Sequence, residues 1–358
     1  MVFHNVTFTN NIANRHGGVI RARGGSFQFI AIEECLFYGN MAMEGAAIYS
    51  DGNNTCAIYR TEFRDNEALS SGGVLSAAEQ SQFEVLDSNF TNNKAVSLGG
   101  AVNLLDFAVG VIGFSTLSGN SAQTAGGAIF AQDMTSVTLW NCTVTENSAI
   151  EGAGILFDSS EKFSVFSSVF SRNKANSTGG AISVYNSEHF VVLDSVITEN
   201  EALSGAGIWL EGFLRISMND SQIESNFATS RGGGLLMGDN AEGIIHNCEF
   251  FNNTGQYTGG GALWIQDQAL PLITNCSFYV STLNYLVITS KYVVGQFRGE
   301  RRSSDFHVFS GACSTIFSVL QQHVAQRRRE QQVPQGDPSG RSERAEHLAR
   351  RLRLPRHR

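Results

Sequence analysis

An asparagine returns ten times along this chain at nearly constant spacing: Asn11, Asn40, Asn66, Asn93, Asn120, Asn147, Asn173, Asn200, Asn226 and Asn253. After a first interval of 29 residues the spacings are all 26 or 27. Repeats of this length build solenoids, in which each turn buries its apolar side only against the turns above and below it. Length is therefore a poor guide to domain number here, because such a structure grows by adding turns.

Each asparagine belongs to a phrase, plainest in FTNNKAVSLGGAV from Phe90 to Val102. A bulky apolar residue stands three positions before the asparagine and an alanine two after it. A glycine step then leads into Ile, Val or Leu. The bulky column runs Phe8, Phe37, Phe63, Phe90, Leu117, Val144, Phe170, Ile197, Ile223 and Phe250, with Phe278 in an incomplete eleventh turn. Five residues ahead of it lies a second apolar column (Ile58, Val85, Ile112 and their counterparts), and the residue after the glycine step forms a third (Ile48, Leu75, Val102, Ile129). Within a repeat the apolar residues alternate with period two, as in strands.

Three apolar strand faces per repeat predict an all-β, parallel β-helix of about ten coils with a period near 27. At about 4.8 Å per coil, ten coils give a rod of roughly 45–50 Å. The glycine three residues before the third column is invariant in the ten copies, from Gly17 to Gly260, which calls for positive φ or close backbone approach. The asparagines are expected to form an internal amide ladder, and the alanines to fill a tight corner. Cys35, Cys142, Cys248 and Cys276 share one phase with Thr61, Ser88, Ser115 and Ser168, so they read as a stack of small buried residues.

The pattern fades after Phe278, and residues 1–297 are expected to hold the β-helix, with repeats over 8–263 and a degenerate closing coil to about 297. Residues 298–358 carry 13 Arg, no Lys and 6 acids, a net +7 against −8 for the whole, which leaves −15 on the body. This basic tail is expected to be disordered or partly helical, with Ala345, Leu348, Ala349 and Leu352 on one helical side. The opening MVFHNVTFTNN lacks the basic start and apolar run of a leader and already lies within the first repeat, so a fragment of a longer chain is expected. No stretch near 18 apolar residues offers a transmembrane helix.

Alternation of FxxN with GGA[I/L/V] resembles the repeat of the chlamydial polymorphic outer membrane protein family. Phe90-Thr91-Asn92-Asn93 with Gly99-Gly100-Ala101-Val102 carries the resemblance, as do Phe170-Ser171-Arg172-Asn173 with Gly179-Gly180-Ala181-Ile182. The resemblance implies a pectin-lyase-like right-handed β-helix, secreted or displayed at a cell surface and engaged in adhesion. Family members that reach the outer membrane also carry a signal peptide and a C-terminal β-barrel.

Enzymes on this type of fold use clustered aspartates or an acidic calcium site. No Asp-Asp pair and no Gly-His-Gly element occur here. Single acids recur after the third strand, at Asp51, Glu79, Asp106, Asp133, Asp158, Glu211, Asp239 and Asp267, an expected ridge along one corner. Such a ridge offers oxygen ligands to Ca²⁺, but turns also favour these residues on conformational grounds. No cofactor is expected, with calcium left open. The eight histidines share no phase and suggest no metal cluster. GGGLL at 232–236 is a coil step and not a phosphate loop.

One departure from the phrase stands out. Immediately after the third column, on the side away from the core, stand Phe130, Leu156, Ser183, Trp209, Leu236 and Trp264, where earlier coils have Arg21, Ser76 and Asn103, with Tyr49 as an exception. They form a candidate outward binding stripe for sugar rings or a protein, or else a seat for a covering segment. The chain is thus read as a non-enzymatic rod for adhesion or protein interaction, the alternative being a carbohydrate-binding or carbohydrate-cleaving β-helix. A protein or glycan surface partner is expected and no nucleic acid. Oligomeric state is open.

Overall fold

The computed structural model describes residues 1–24, 28–279, 287–288 and 294–298. The basic tail expected over 298–358 lies outside the described residues apart from Arg298. Every regular element described is a β-strand, and the strands wind into a right-handed parallel solenoid of about ten turns.

One coil shows the construction. Strand β1 (Ser121–Ala122) leads through the glycine step to β2 (Ile129–Gln132). A corner follows, then β3 (Ser136–Trp140), a kink at Asn141-Cys142, and β4 (Thr143–Thr145). The equivalents of β1 stack into an Ala sheet, those of β2 into a Gly-step sheet, and those of β3 and β4 into a kinked Phe sheet. Among the described residues all pairing is parallel and sets counterpart positions side by side, with Ile129 on Ile155, Leu139 on Val165 and Leu117 on Val144.

Register follows from burial. A one-residue slip would turn every inward side chain to the other face, and Phe37, Phe63, Phe90, Phe170 and Phe250 are all fully buried. Their rings stack with the period of the strands: Phe37 and Phe63 lie 4.8 Å apart, as do Phe63 and Phe90. Within β3-type strands a further inward column, containing Phe83, Phe163 and Phe190, shares the core.

Turn residues absorb the chain reversals. The ten glycines from Gly17 to Gly260 all have positive φ, between 54° and 67°. At Gly126 a Cβ would also stand 2.4 Å from the Ile129 carbonyl oxygen. Both reasons for glycine therefore apply at once. The distance from asparagine to glycine varies by one or two residues, and bulges in the Ala sheet take up the difference, as between Ala149 and Glu151. The two additional residues of the first interval fall between the strand that ends at Arg23 and the one that begins at Phe29.

Candidate functional site

The asparagines lie inside the corner between the Phe and Ala sheets, fully or nearly fully buried from Asn40 to Asn253. Asn147 Oδ1 accepts from the backbone N–H of Asn120 at 2.9 Å and from Asn120 Nδ2 at 3.1 Å. Asn120 Nδ2 also donates to the Phe90 carbonyl, one coil back, at 3.0 Å. The pattern repeats from Asn11, which donates to Asn40 Oδ1, to Asn226, which donates to Asn253 Oδ1. Every rung points the same way along the axis. A second ladder runs at the kink of the Phe sheet, where Ser88 N–H donates to Ser115 Oγ at 3.0 Å and Ser88 Oγ donates to the Leu86 carbonyl. Cys35, Cys142, Cys248 and Cys276 occupy this row as buried free thiols. Both ladders satisfy buried polar groups, and neither presents chemistry to solvent.

The stripe after the glycine step is not open to water. Phe130, Leu156, Trp209 and Leu236 are 5%, 4%, 7% and 0% exposed, and Trp264 is half-buried. They do stand on the outer side of the Gly-step sheet, but the positive-φ glycine folds the preceding segment across them. A Cβ at Gly152 would lie 2.8 Å from the Leu156 Cβ, and one at Gly232 would lie 2.9 Å from the Leu236 Cβ. The residue before that glycine then packs on the stripe: Ala125 joins Phe130 and Leu156, with Leu98, Leu105 and Tyr185 alongside. Elsewhere His16 lies on Tyr49 at 4.4 Å, and the Arg231 guanidinium sits over Trp264 at 5.4 Å. The expected solvent-facing stripe is instead a second, outer core, covered by the turns of its own coils.

Burial there shifts titrating groups, Tyr49, Tyr185 and Glu211 among them. Tyr185 is pushed up to about 12 by burial, although Thr178 accepts or donates a 2.7 Å hydrogen bond to its hydroxyl. Burial also raises Glu211, opposed by the Trp209 indole N–H that donates to it at 3.0 Å. The charges of Asp239 and Asp267 in the next two coils add to the upward shift.

Most of the acidic ridge has a conformational origin. Glu79, Asp106, Asp133, Asp239 and Asp267 occupy positive φ at the corner between the Gly-step and Phe sheets, while Asp51, Asp158 and Glu211 immediately precede positive-φ residues there. Short polar side chains are the non-glycine residues that best tolerate that conformation. Among the described residues, no three His, Cys, Asp or Glu side chains gather in a way that would hold a metal ion.

A different surface emerges on the outer side of the Phe sheet. Leu86, Gly113, Trp140, Phe166 and Leu193 form one register row across five coils. Gly113 leaves a gap that the Trp140 indole fills, since a Cβ there would lie 2.4 Å from the ring. Phe114, half exposed at the kink, meets Trp140 edge-to-face at 4.3 Å. Val169 adds an exposed aliphatic group one row on. The two coils at the centre, residues 109–118 and 136–145, contain no charged residue. On the same side of the strand as Phe166, the buried Ser164 Oγ has no hydrogen-bond partner in the protein. Sequence reasoning passed over this row, although offsetting the chain by 26 or 27 residues places Trp140 between Gly113 and Phe166.

Comparison with known families agrees with this architecture. The model described as "Right handed beta helix region" matches residues 107–219 and 180–294. The Chlamydia polymorphic membrane protein repeat matches residues 5–23. No curated protein and no solved structure is matched by the chain. The helix-family matches together span more than half of the sequence, with the same winding and repeat throughout, and the chain belongs to the right-handed β-helix family.

Proposed function

We propose that this protein is a non-enzymatic recognition rod that works at a cell surface and binds a protein partner through the outer face of its Phe sheet. The observation that carries the reading is the uncharged row around Trp140, with Phe114, Phe166 and Leu193 beside it. Tryptophan and phenylalanine in a charge-depleted patch match the central composition of protein interfaces. The polymorphic membrane protein repeat at residues 5–23 supports a surface setting and an adhesive role. Acids spread singly along a corner, five of the eight at positive φ, argue against a hydrolytic centre.

The test is adhesion of cells to beads coated with the protein. Trp140→Ala/Phe166→Ala, folded like wild type by circular dichroism, is expected to lose most of the binding. Undiminished adhesion by that variant would refute the reading.

A second reading, carbohydrate binding or cleavage, draws on Glu211, whose acidity is reduced by burial and by Asp239 and Asp267 nearby. Release of reducing ends from acidic polysaccharides, abolished in Glu211→Gln, would favour it over the first.

A further inference from the structure

The outer face of the Ala sheet carries aliphatic side chains in water. Val96, Ile150 and Leu203 are 40%, 43% and 49% exposed, each directly after the buried alanine of its strand. Parallel sheets are ordinarily covered on both faces, so an open aliphatic row on one is a candidate interface. The same position in the intervening coils holds Gln123 and Asn176, both exposed. From the fourth coil to the eighth the row therefore reads aliphatic, amide, aliphatic, amide, aliphatic, symmetric about Ile150 over these five coils; Met43 and Leu69, 40% and 45% exposed, extend it on one side and Thr229 and Gln256 on the other.

The neighbouring outward row is Lys94, Ser121, Ser148, Lys174 and Glu201, joined in register along the sheet. It is not symmetric, and its asymmetry is informative. Consider a two-fold axis parallel to the strands and passing over the coil of Ile150. Such an axis lays two rods antiparallel and sets each row against itself with the coil order reversed. Val96 then meets Leu203 of the second copy, Gln123 meets Asn176, and Ile150 meets its own mate. In the charged row Lys94 meets Glu201, Ser121 meets Lys174, and Ser148 meets itself. A parallel arrangement also matches the aliphatic row, but it moves Lys94 away from Glu201.

We infer that the Ala sheet is a self-association surface, on which a second copy of this chain docks antiparallel about Ile150. Glu201 already holds Lys174 at 2.7 Å in its own chain, so Lys94 of the second copy completes a three-member charge cluster. The matched pairs occupy coils four to eight, and the flanking coils two, three, nine and ten also face one another, with Leu69 opposite Thr229 and Glu67 opposite Phe227, a strip about 40 Å long at the strand spacing. With two to three side chains across, it buries about 1,000 Å² in total, the size of a weak but specific interface. The Phe sheet, on another side of each coil, stays free, so this inference does not depend on the adhesive reading.

Sedimentation velocity on the full chain over a concentration series is the test. Wild type is expected to shift from monomer to dimer in the micromolar range. Ile150→Glu, at an exposed site that leaves the fold intact, is expected to sediment as monomer at every concentration. Lys94→Glu and Glu201→Lys are each expected to weaken the dimer by about tenfold, about 1.4 kcal/mol, and the two together to restore it. A wild type that stays monomeric overturns the inference, as does an Ile150→Glu variant that dimerises normally. Failure of the double charge reversal to recover association overturns the antiparallel register.

Discussion

Asn147 Oδ1 accepts two hydrogen bonds from a single neighbour, the backbone N–H and the side-chain amide of Asn120. Each rung thus ties both the chain and the side chain of one coil to the next. Replacing Asn120 with Ala removes the acceptor for Asn93 N–H and the donor to the Phe90 carbonyl. At about 1–3 kcal/mol for each buried group left unpaired, the expected loss is about 3–5 kcal/mol. Denaturant unfolding measures it, and amide exchange should lose protection in the coils of Asn93 and Asn147 as well as in the substituted one.

Gly126 has a φ of +64° and almost no room for a Cβ beside Ile129. Gly126→Ala is expected to destabilise by about 3 kcal/mol, combining left-handed strain with displacement of the backbone. Gly238 is a suitable contrast. Its nearest neighbour to a new Cβ is the end of the flexible Gln266 side chain, at 3.3 Å. Gly238→Ala should change stability by no more than about 0.5 kcal/mol, and paired thermal melts compare the two.

Trp209 belongs to the covered outer core, so its truncation acts on folding. Trp209→Ala is expected to cost about 3–5 kcal/mol in chemical denaturation. Met43→Ala, on the exposed side of the Ala sheet, should stay within about 0.5 kcal/mol of wild type. Native Trp209 fluorescence should also resist quenching by iodide.

Glu211 makes stability depend on pH in a defined direction. Its acidity is weakened in the fold, chiefly by burial, so its contribution is complete below the ordinary glutamate range. It is lost as pH rises through the higher folded value. Glu211→Gln is therefore expected to melt above wild type at pH 7, with the difference shrinking on acidification through that window. Melting curves of both proteins from pH 4 to pH 7 check the sign.

Much of the architecture was legible before the structure because coil-to-coil contacts are translations along one axis. A residue meets its counterpart 26 or 27 positions away, so columns such as Phe37, Phe63 and Phe90 can be read by stacking the sequence. The same operation places Trp140 over Gly113, but the meaning of that contact depends on the missing side chain at 113 and on the bend at Phe114. Period-two alternation separates Phe130, Leu156 and Trp209 from the inward columns on either side of them. It did not reveal what lies above them.

By itself, then, the sequence determined the period, the strand register and the residues that fill the core, since those depend on side-chain volume and on pairing between identical positions in successive coils. Only the tertiary structure decided which outward faces meet water. That outcome rests on contacts within a coil, where positive φ at residues such as Gly152 folds the turn back over Leu156 and covers the Gly-step sheet. Among the described residues no comparable turn crosses the Phe sheet at Trp140 or the Ala sheet at Ile150, and these two faces keep apolar side chains within reach of solvent.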